Sequence, residues 1–490
     1  MHYTAAFDLG TTAVKGVLVS DKKELSFSYS LPLETISLRE RKEQDPREWY
    51  KAFCAISGLM IKEIPREKIR GIIMSGQMQD LIPINEAGET LGNAILYSDG
   101  RAGEESAYIN SLIGEIRQIT GNTMDASIPA AKLLWLRNNE QEQFNQVDCI
   151  LGSSKDFIIL MLCDRRVGDH TAASTFGLMD IHTKRWDDNL LEALSIPKKI
   201  LPELFSCETR CGKVSKAAAV QTGFLEGTPV YVGAGDAGAS TLSAGITGPG
   251  EYNIYLGTSG WIATVSRDVL VRNGVFNLAA IQKDLYINVV PFLNAGGVHK
   301  WISDLFCSDE PDIFKYDYID SLLQQSEAGS GGLFFLPYLS GERFPVMDAK
   351  IRGAFIGLSN NTTKAQMARA CLEGVAFSIR QGLEAISSEK PKKISVVGGG
   401  AKTPVWRQIL ADVLGMPIIV PTDSSEYLPS VVLSSAVFID QGLEDSYDSF
   451  LVSLPASREL IYHPSTSSRL MDEQYRKYLK VYPAIKELFS

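Results

Sequence analysis

Apolar and polar positions alternate along the chain in short blocks, and two of these blocks read alike. Residues 6–20, AFDLGTTAVKGVLVS, set an apolar run before Leu-Gly-Thr-Thr and a second β-branched run after it. Residues 253–267, NIYLGTSGWIATVSR, repeat the scheme about half the chain away. Two strand-length runs joined by a glycine turn predict a hairpin in each place, and the recurrence predicts a duplicated architecture. Other blocks carry helical punctuation. Asp45 as cap, Pro46 at the first position and Glu48 at the third open an amphipathic helix toward Met60. Residues 72–74 and 229–232 read as buried strands. Further on, an apolar run at 394–397 enters Gly398-Gly399-Gly400-Ala401. Thr403-Pro404 starts a helix that Gly415 and Pro417 stop, and residues 418–420 form the next strand. Strands alternating with helices predict an α/β fold. The glycine-rich passage 245–250 is the expected crossing between two halves, residues 1–245 and 246–490.

At 490 residues, one core cannot hold the whole chain, which agrees with two large domains. A net charge of -10 disfavours nonspecific binding to nucleic acid or to an anionic membrane, so an anionic ligand needs a local site. The longest uncharged apolar stretches, such as residues 157–163, fall short of a bilayer span. The first ten residues lack a basic region and carry Asp8, so a reducing cytoplasm is the expected compartment. Seven scattered cysteines show neither a CxxC pair nor metal-ligand spacing, and are expected as buried thiols. The run at 39–45 reads as a solvated face ahead of a helix. The five histidines are scattered and give no metal geometry, and Trp135 is expected in the core.

The glycine turns are where chemistry is expected. A glycine beside two hydroxyl residues lets backbone approach a phosphate, supplies N–H donors and adds hydroxyl donors. Either turn taken singly is equally an ordinary hairpin tip. Asp8, ending the first apolar run, is costly to bury unless it is paired or faces a cation such as magnesium. Lys15 is either a second positive charge for a nucleotide or a solvent-facing residue. Residues 233–238, GAGDAG, formally match the dinucleotide fingerprint, which motivates an oxidoreductase reading. Asp236 opposes that reading, because it would stand where an anionic pyrophosphate must lie. A carboxylate at the mouth of a glycine turn suits proton abstraction, or else caps the following helix. No Walker lysine motif occurs.

Taken in order, DLGTTAVKG at 8–16, EQDP ahead of Trp49, SGQM at 75–78, SDGR at 98–101, SIPAAKLLWLRNN at 127–139, GAGD at 233–236, LGTS at 256–259, the segment 353–373 and the glycine-rich segment 398–418 resemble the FGGY carbohydrate kinases. The resemblance spans residue 8 to about residue 440. It implies two ribonuclease H-like domains of the actin and hexokinase type, with ATP and sugar in the cleft between them. The N-terminal domain would bind sugar and carry the base, and the C-terminal domain would bind nucleotide. By the same resemblance Asp236 is the general base and Asp8 organises Mg2+. Thr11, Thr12, Gly257, Thr258 and Ser259 hold phosphates, while Gly296, Lys300, Gly399, Gly400 and Ala401 line the nucleotide site. Gln77, Met78 and Gln79 contact the sugar, with Asp99 and Arg101 nearby. The motifs most resemble those of xylulokinases, which implies a ketopentose such as D-xylulose as acceptor. One departure bears on the sugar: Gln79-Asp80 stands where xylulokinases carry His-Gly. Other pentuloses, a hexulose, gluconate or a linear polyol stay open as acceptors, as does a nucleotide-binding relative without transfer chemistry. Many relatives form dimers, so a homodimer stays open too.

Overall fold

The computed structural model describes residues 1–112, 115–307, 312–348, 350–387, 391–421, 426–454 and 459–489. In the first half, β1 (Tyr3–Leu9) and β2 (Ala13–Ser20) form the expected hairpin, which β3 (Leu25–Pro32) extends. Helix α1 (Pro46–Glu63) begins as its cap predicts, with the Asp45 side chain accepting from the Arg47 amide. The site then draws on β4 (Ile69–Gly76), α2 (Pro129–Asn139), α3 (Ser154–Cys163), α4 (His170–Ala173), β5 (Arg210–Lys213), β6 (Pro229–Tyr231), β7 (Ala234–Gly235) and α5 (Asp236–Ser243). The second half contributes β8 (Glu251–Leu256), β9 (Gly260–Ser266), β10 (Phe276–Ala279), β11 (Tyr286–Phe292), α6 (Gly296–Phe306), α7 (Lys364–Ile386), β12 (Lys393–Val397), α8 (Pro404–Leu414), β13 (Ile418–Pro421), α9 (Leu428–Leu433) and β14 (Glu459–Tyr462).

The sequence echo is a duplication of sheet topology. The first sheet runs β5-β6-β4-β1-β2-β3, with β7 beside β4; the second runs β10-β11-β9-β8-β12-β13-β14. Read from β3 in one and β11 in the other, the pairings are antiparallel, antiparallel, parallel, parallel and antiparallel in both. The outermost partner differs in origin: β5 precedes β6 in the chain, whereas β14 follows β13.

Period-two alternation sends neighbouring side chains to opposite faces. Ala5, Phe7 and Leu9 pack with Phe53, Ile56 and Met60 of α1, while Ala6, Val17 and Ile73 pack with Leu242 of α5 and Leu433 of α9. The Phe7 and Phe53 rings lie 4.2 Å apart, and removing either ring would cost about 3 to 5 kcal/mol. In the second half Tyr252, Ile254 and Leu256 pack on α7. The opposite face of that sheet, Ala263, Val265 and Ile287, meets Met78 and Ala172 of the first half, with Ala237 against it. Helix α5 therefore lies between the two sheets. The chain beyond Tyr427 also returns to the first half: Asp440 accepts from the Tyr231 hydroxyl at 2.7 Å and from Arg210 Nε at 2.6 Å, and Lys23 pairs with Glu444.

Two expectations need correction. Residues 39–45 are a solvated face only in part: 39–41 are exposed, but Arg41–Gln44 is a strand, and Gln44 is 2% exposed because its amide is used inside the protein. Of the cysteines, Cys149, Cys207, Cys211 and Cys371 are buried, but Cys54, Cys163 and Cys307 are only partly covered. Among the described residues, no helix is long and apolar enough to cross a membrane.

Candidate active site

Strand register gathers the first cluster. Asp8, Ser75 and Ala234 share one cross-strand row over β1, β4 and β7; Leu9, Gly76 and Gly235 share the next. Strands stand about 4.8 Å apart, so Asp236 leaves the sheet about 10 Å from the Asp8 strand, at the same end. The Gly10-Thr11-Thr12 turn leaves from that end as well, immediately after Leu9.

Asp236 is the first residue of α5, and Gly235 is its cap. The side chain is partly exposed, and its Oδ1 accepts the Ala237 amide at 2.8 Å. Burial of its surroundings first, and then the charges of Asp8 and Asp169, push its pKa up to about 7. A carboxylate so poised takes a proton well at neutral pH. The glycines around it answer to packing. At Gly233, with φ of 68°, a Cβ would lie 1.9 Å from the Met74 carbonyl oxygen, and at Gly235 one would meet Met78 Sδ at 2.4 Å. The fingerprint spacing thus reflects close approach to β4 and Met78.

Asp8 is partly exposed and accepts the Ser75 hydroxyl at 2.9 Å. Burial raises its pKa more than Ser75 and Lys15 lower it. Its Oδ2 lies 3.9 Å from where a Cβ of Gly10 would stand, so the carboxylate borders the turn. Lys15 stands across from it in register but pairs with Glu426 at 3.0 Å. This suits a magnesium ion, which binds through one or two carboxylates together with phosphates and water. Among the described residues, no set of three or more ligating side chains exists to cage an ion by itself.

The Gly-Thr-Thr turn is braced from behind. Thr11 Oγ1 donates to Gln77 Oε1 at 2.7 Å, Gln77 Nε2 donates to Gln44 Oε1 at 3.0 Å, and Gln44 Nε2 donates to the Thr11 carbonyl at 2.7 Å. Trp49 Nε1 also donates to Gln44. Gln77 is 1% exposed, with both ends of its amide committed to this ring. Thr12 is exposed. Met78 is buried under Gly235, and Gln79 is partly exposed with φ of 60°. The Gln79 carbonyl accepts from Lys132 Nζ at 2.8 Å; the same ammonium donates to the Leu96 carbonyl at 2.6 Å. Burial lowers the Lys132 pKa to about 7, against the charges of Asp80 and Asp99. Asp80 is fully buried and neither of its carboxylate oxygens has a hydrogen-bond partner among the described residues. Its pKa is raised well above the ordinary carboxylate value, by burial first and with the Asp236 charge contributing. Asp99 and Arg101 form a bidentate pair, at 2.8 and 2.7 Å, that Glu43 extends and that stacks on Trp135.

The second cluster forms at the equivalent turn. Gly257, Thr258 and Ser259 join β8 to β9, and Thr258 and Ser259 are exposed. The Gly296 amide donates to the Gly257 carbonyl at 2.7 Å and the Gly297 amide to that of Thr258 at 2.8 Å, docking the start of α6 on the turn. A Cβ at Gly296 would lie 2.4 Å from the Gly257 oxygen. Gly398, with φ of 100°, fits under the Leu256 carbonyl, and Gly400 and Ala401 are buried beside it. Gly399 faces open space, as a ligand-facing backbone requires. Lys300 lies on α6 and pairs with Asp304 at 3.1 Å.

Residue reading missed Gln44 and the group formed by Lys155, Asp156 and Asp169, all buried near these turns. Adjacent opposite charges heading the apolar run at 157–163 are the signal that could have found Lys155 and Asp156.

Comparison with known proteins agrees with this arrangement. Residues 3–243 match the N-terminal domain of the FGGY family of carbohydrate kinases, and residues 252–429 match its C-terminal domain. The chain is 27% identical to the xylulose kinase of Staphylococcus xylosus over 98% of its own length and 100% of that protein's. It is 30% identical to the gluconokinase of Bacillus subtilis over 86% and 84% of the two chains. A ligand-bound xylulose kinase from Lactobacillus acidophilus superposes with a TM-score of 0.91 at 27% identity, covering 100% of this chain and 99% of the other. A duplicated sheet with paired hydroxyl-rich turns, a carboxylate at the head of the helix between them and domain matches along most of its length mean that this chain belongs to the FGGY family of carbohydrate kinases.

Proposed function

We propose that this enzyme transfers the terminal phosphoryl group of ATP to a hydroxyl of a ketopentose, with D-xylulose giving D-xylulose 5-phosphate as the first choice. The position and raised pKa of Asp236 carry this reading. Asp236 takes the proton of the sugar hydroxyl as that oxygen attacks the terminal phosphorus. The bond from phosphorus to the bridging oxygen breaks, ADP leaves, and the new carboxylic acid returns its proton to water. Met78 and Gln79 supply the sugar-facing wall, while Asp99 and Arg101 shape it from behind. Thr11 and Thr12 hold phosphate from one side. Thr258, Ser259 and the Gly257 backbone hold it from the other, with Lys15 adding charge nearby. Gly296, Lys300, Gly399, Gly400 and Ala401 bound the nucleotide. Asp8 would hold Mg2+, which supplies charge neutralisation to the phosphates. We divide these roles at residues 245 and 246, where β8 opens the second sheet, while the segment from α9 to residue 454 packs with the core of the first half. Positioning and charge compensation suffice for such a transfer.

The pair Gln79-Asp80 favours a second reading in which the acceptor is another polyol or a sugar acid such as gluconate. An amide at position 79 offers a donor and an acceptor but no titratable proton. Purified protein with ATP, Mg2+ and a panel of pentuloses, hexuloses, linear polyols and gluconate tests both readings. ADP release with D-xylulose at the highest kcat/KM supports the first; a higher value with gluconate replaces it with the second. No release with any sugar defeats the kinase assignment.

A further inference from the structure

One buried carboxylate outside the reacting centre touches the base's turn and the join between the two halves. Asp169 ends the short strand Val167–Asp169 and caps α4. Its Oδ1 accepts three amides: Thr171 at 2.9 Å, Ala172 at 3.0 Å and Gly235 at 3.1 Å. Gly235 is the residue immediately before Asp236. The other oxygen lies 2.9 Å from Lys155 Nζ, which is 2.5 Å from Asp156 Oδ1. All three residues are at most 1% exposed. A buried charge survives only when so compensated, and a carboxylate accepting several amides fixes their directions.

What Asp169 caps also grips the second half. Strand β10 is the edge of the second sheet, so one side of it has no strand partner. The outward groups of Ala279 are satisfied by the α4 segment: Thr171 Oγ1 donates to its carbonyl and Ser174 Oγ accepts its amide, both at 2.8 Å. The outward groups of Asn277 are satisfied by the Asn122 side chain, which accepts from the amide and donates to the carbonyl, both at 2.8 Å, as a neighbouring peptide would. Asn122 also donates to the Ser174 carbonyl at 3.1 Å.

We infer that Asp169, held by Lys155, is a positioning residue that locks the Asp236 turn and the edge of the nucleotide-binding half into one frame. The inference rests on Asp236 being the base. Asp169 touches no reactant; it acts through the Gly235 amide on one side and through Thr171 and Ser174 on the other. Displacing a reacting group by about 1 Å costs on the order of a hundredfold in rate, so loosening this cap should appear in the transfer step and leave nucleotide binding intact.

The test compares Asp169→Asn, Asp236→Asn and wild type in the full chain, using ATP, Mg2+ and the sugar that gives the fastest turnover. Rapid-quench single turnovers measure transfer, and calorimetry counts ATP bound per chain. For Asp169→Asn the expected result is a thirtyfold to hundredfold slower transfer, with one ATP still bound per chain and its affinity within threefold of wild type. A merely structural loss would lower the number of ATP sites instead. Asp169→Asn leaves Lys155 paired with Asp156; if it nonetheless prevents folding, the triple variant Lys155→Met/Asp156→Asn/Asp169→Asn clears all three charges and must show the same slow transfer. Transfer within threefold of wild type in either folded variant, or a loss confined to ATP affinity, overturns the inference. Should Asp236→Asn itself transfer at the wild-type rate, the base assignment falls, and this inference falls with it.

Discussion

Replacing Asp236 by asparagine should stop catalysis and stabilise the free protein. The amide keeps the shape and still accepts the Ala237 amide, but it cannot take a proton. Turnover should fall by at least about a thousandfold with ATP affinity nearly unchanged. Stability follows from the raised pKa. An aspartate at about 7 in the folded chain and near 3.8 when unfolded binds its proton more tightly in the native state. Its ionisation therefore opposes folding. The opposition is absent below pH 3.8, grows through the interval between the two values and is complete above about pH 7. A difference of about 3 units corresponds to about 4 kcal/mol at 1.36 kcal/mol per unit, and relaxation around the site reduces this to about 2 to 4 kcal/mol. Nucleotide-free denaturation at pH 8 and pH 5 measures it. The asparagine variant should unfold at higher urea at pH 8, and its advantage should shrink by more than half at pH 5. An advantage equal at both pH values, or none at pH 8, would refute burial and the charges of Asp8 and Asp169 as the source of the shift.

Other outcomes follow from the same geometry. The pH profile of kcat/KM for the sugar should rise about tenfold per unit up to about pH 7 and then level, because the base must be ionised to act; a flat profile from pH 5 to 8 would contradict it. Gln79→His should reorder the sugar panel while leaving ATP turnover on the best sugar within about tenfold, and an unchanged ranking removes this residue from the specificity account. Gly296→Ala must push apart the start of α6 and the Gly257 carbonyl, now separated from that Cβ position by 2.4 Å; an overpacking cost of about 1 to 3 kcal/mol should appear in thermal melts, together with a raised KM for ATP. Asp8→Asn should raise the Mg2+ concentration for half-maximal activity several-fold without changing the KM for sugar, which a titration of Mg2+ at fixed ATP reads directly.

What was legible in the chain is what local rules write. The hairpins at 6–20 and 253–267, the Asp45-Pro46 start of α1 and the Gly415 stop of α8 each depend on residues adjacent in sequence. Asp8 and Asp236 could be read because each sits beside a glycine turn. The braces could not, because they pair across long separations. Gln44 meets Gln77 across 33 residues, and Asp169 meets Gly235 across 66. The run at 39–45 illustrates the failure. Residues 39–41 are solvated, yet strand pairing turns Glu43 toward Arg101 and buries Gln44 under the Gly10-Thr11-Thr12 turn. Gln77 illustrates the converse: its motif was recognised, and the fold spends its amide on Thr11 and Gln44.

The duplicated hairpins differ in the side chains they set beside their turns. In the first hairpin the pair facing each other across the strands near the turn is Asp8 and Lys15; the corresponding pair in the second is Tyr255 and Trp261. The charged pair can hold a cation and repel or orient phosphates. The aromatic pair stacks at 4.1 Å and 16°, and carries no formal charge. A symmetric site with two aspartates would place further negative charge against a triphosphate, and burial would raise both their pKa values at the expense of stability. Substituting a stacked aromatic pair on one side removes that cost and keeps the same turn. Among the described residues, no second-half strand lies at the cross-strand position that β7 occupies. Under the proposed function, this asymmetry gives proton transfer and metal holding to one sheet and leaves the other to grip the nucleotide through glycine backbone and hydroxyls.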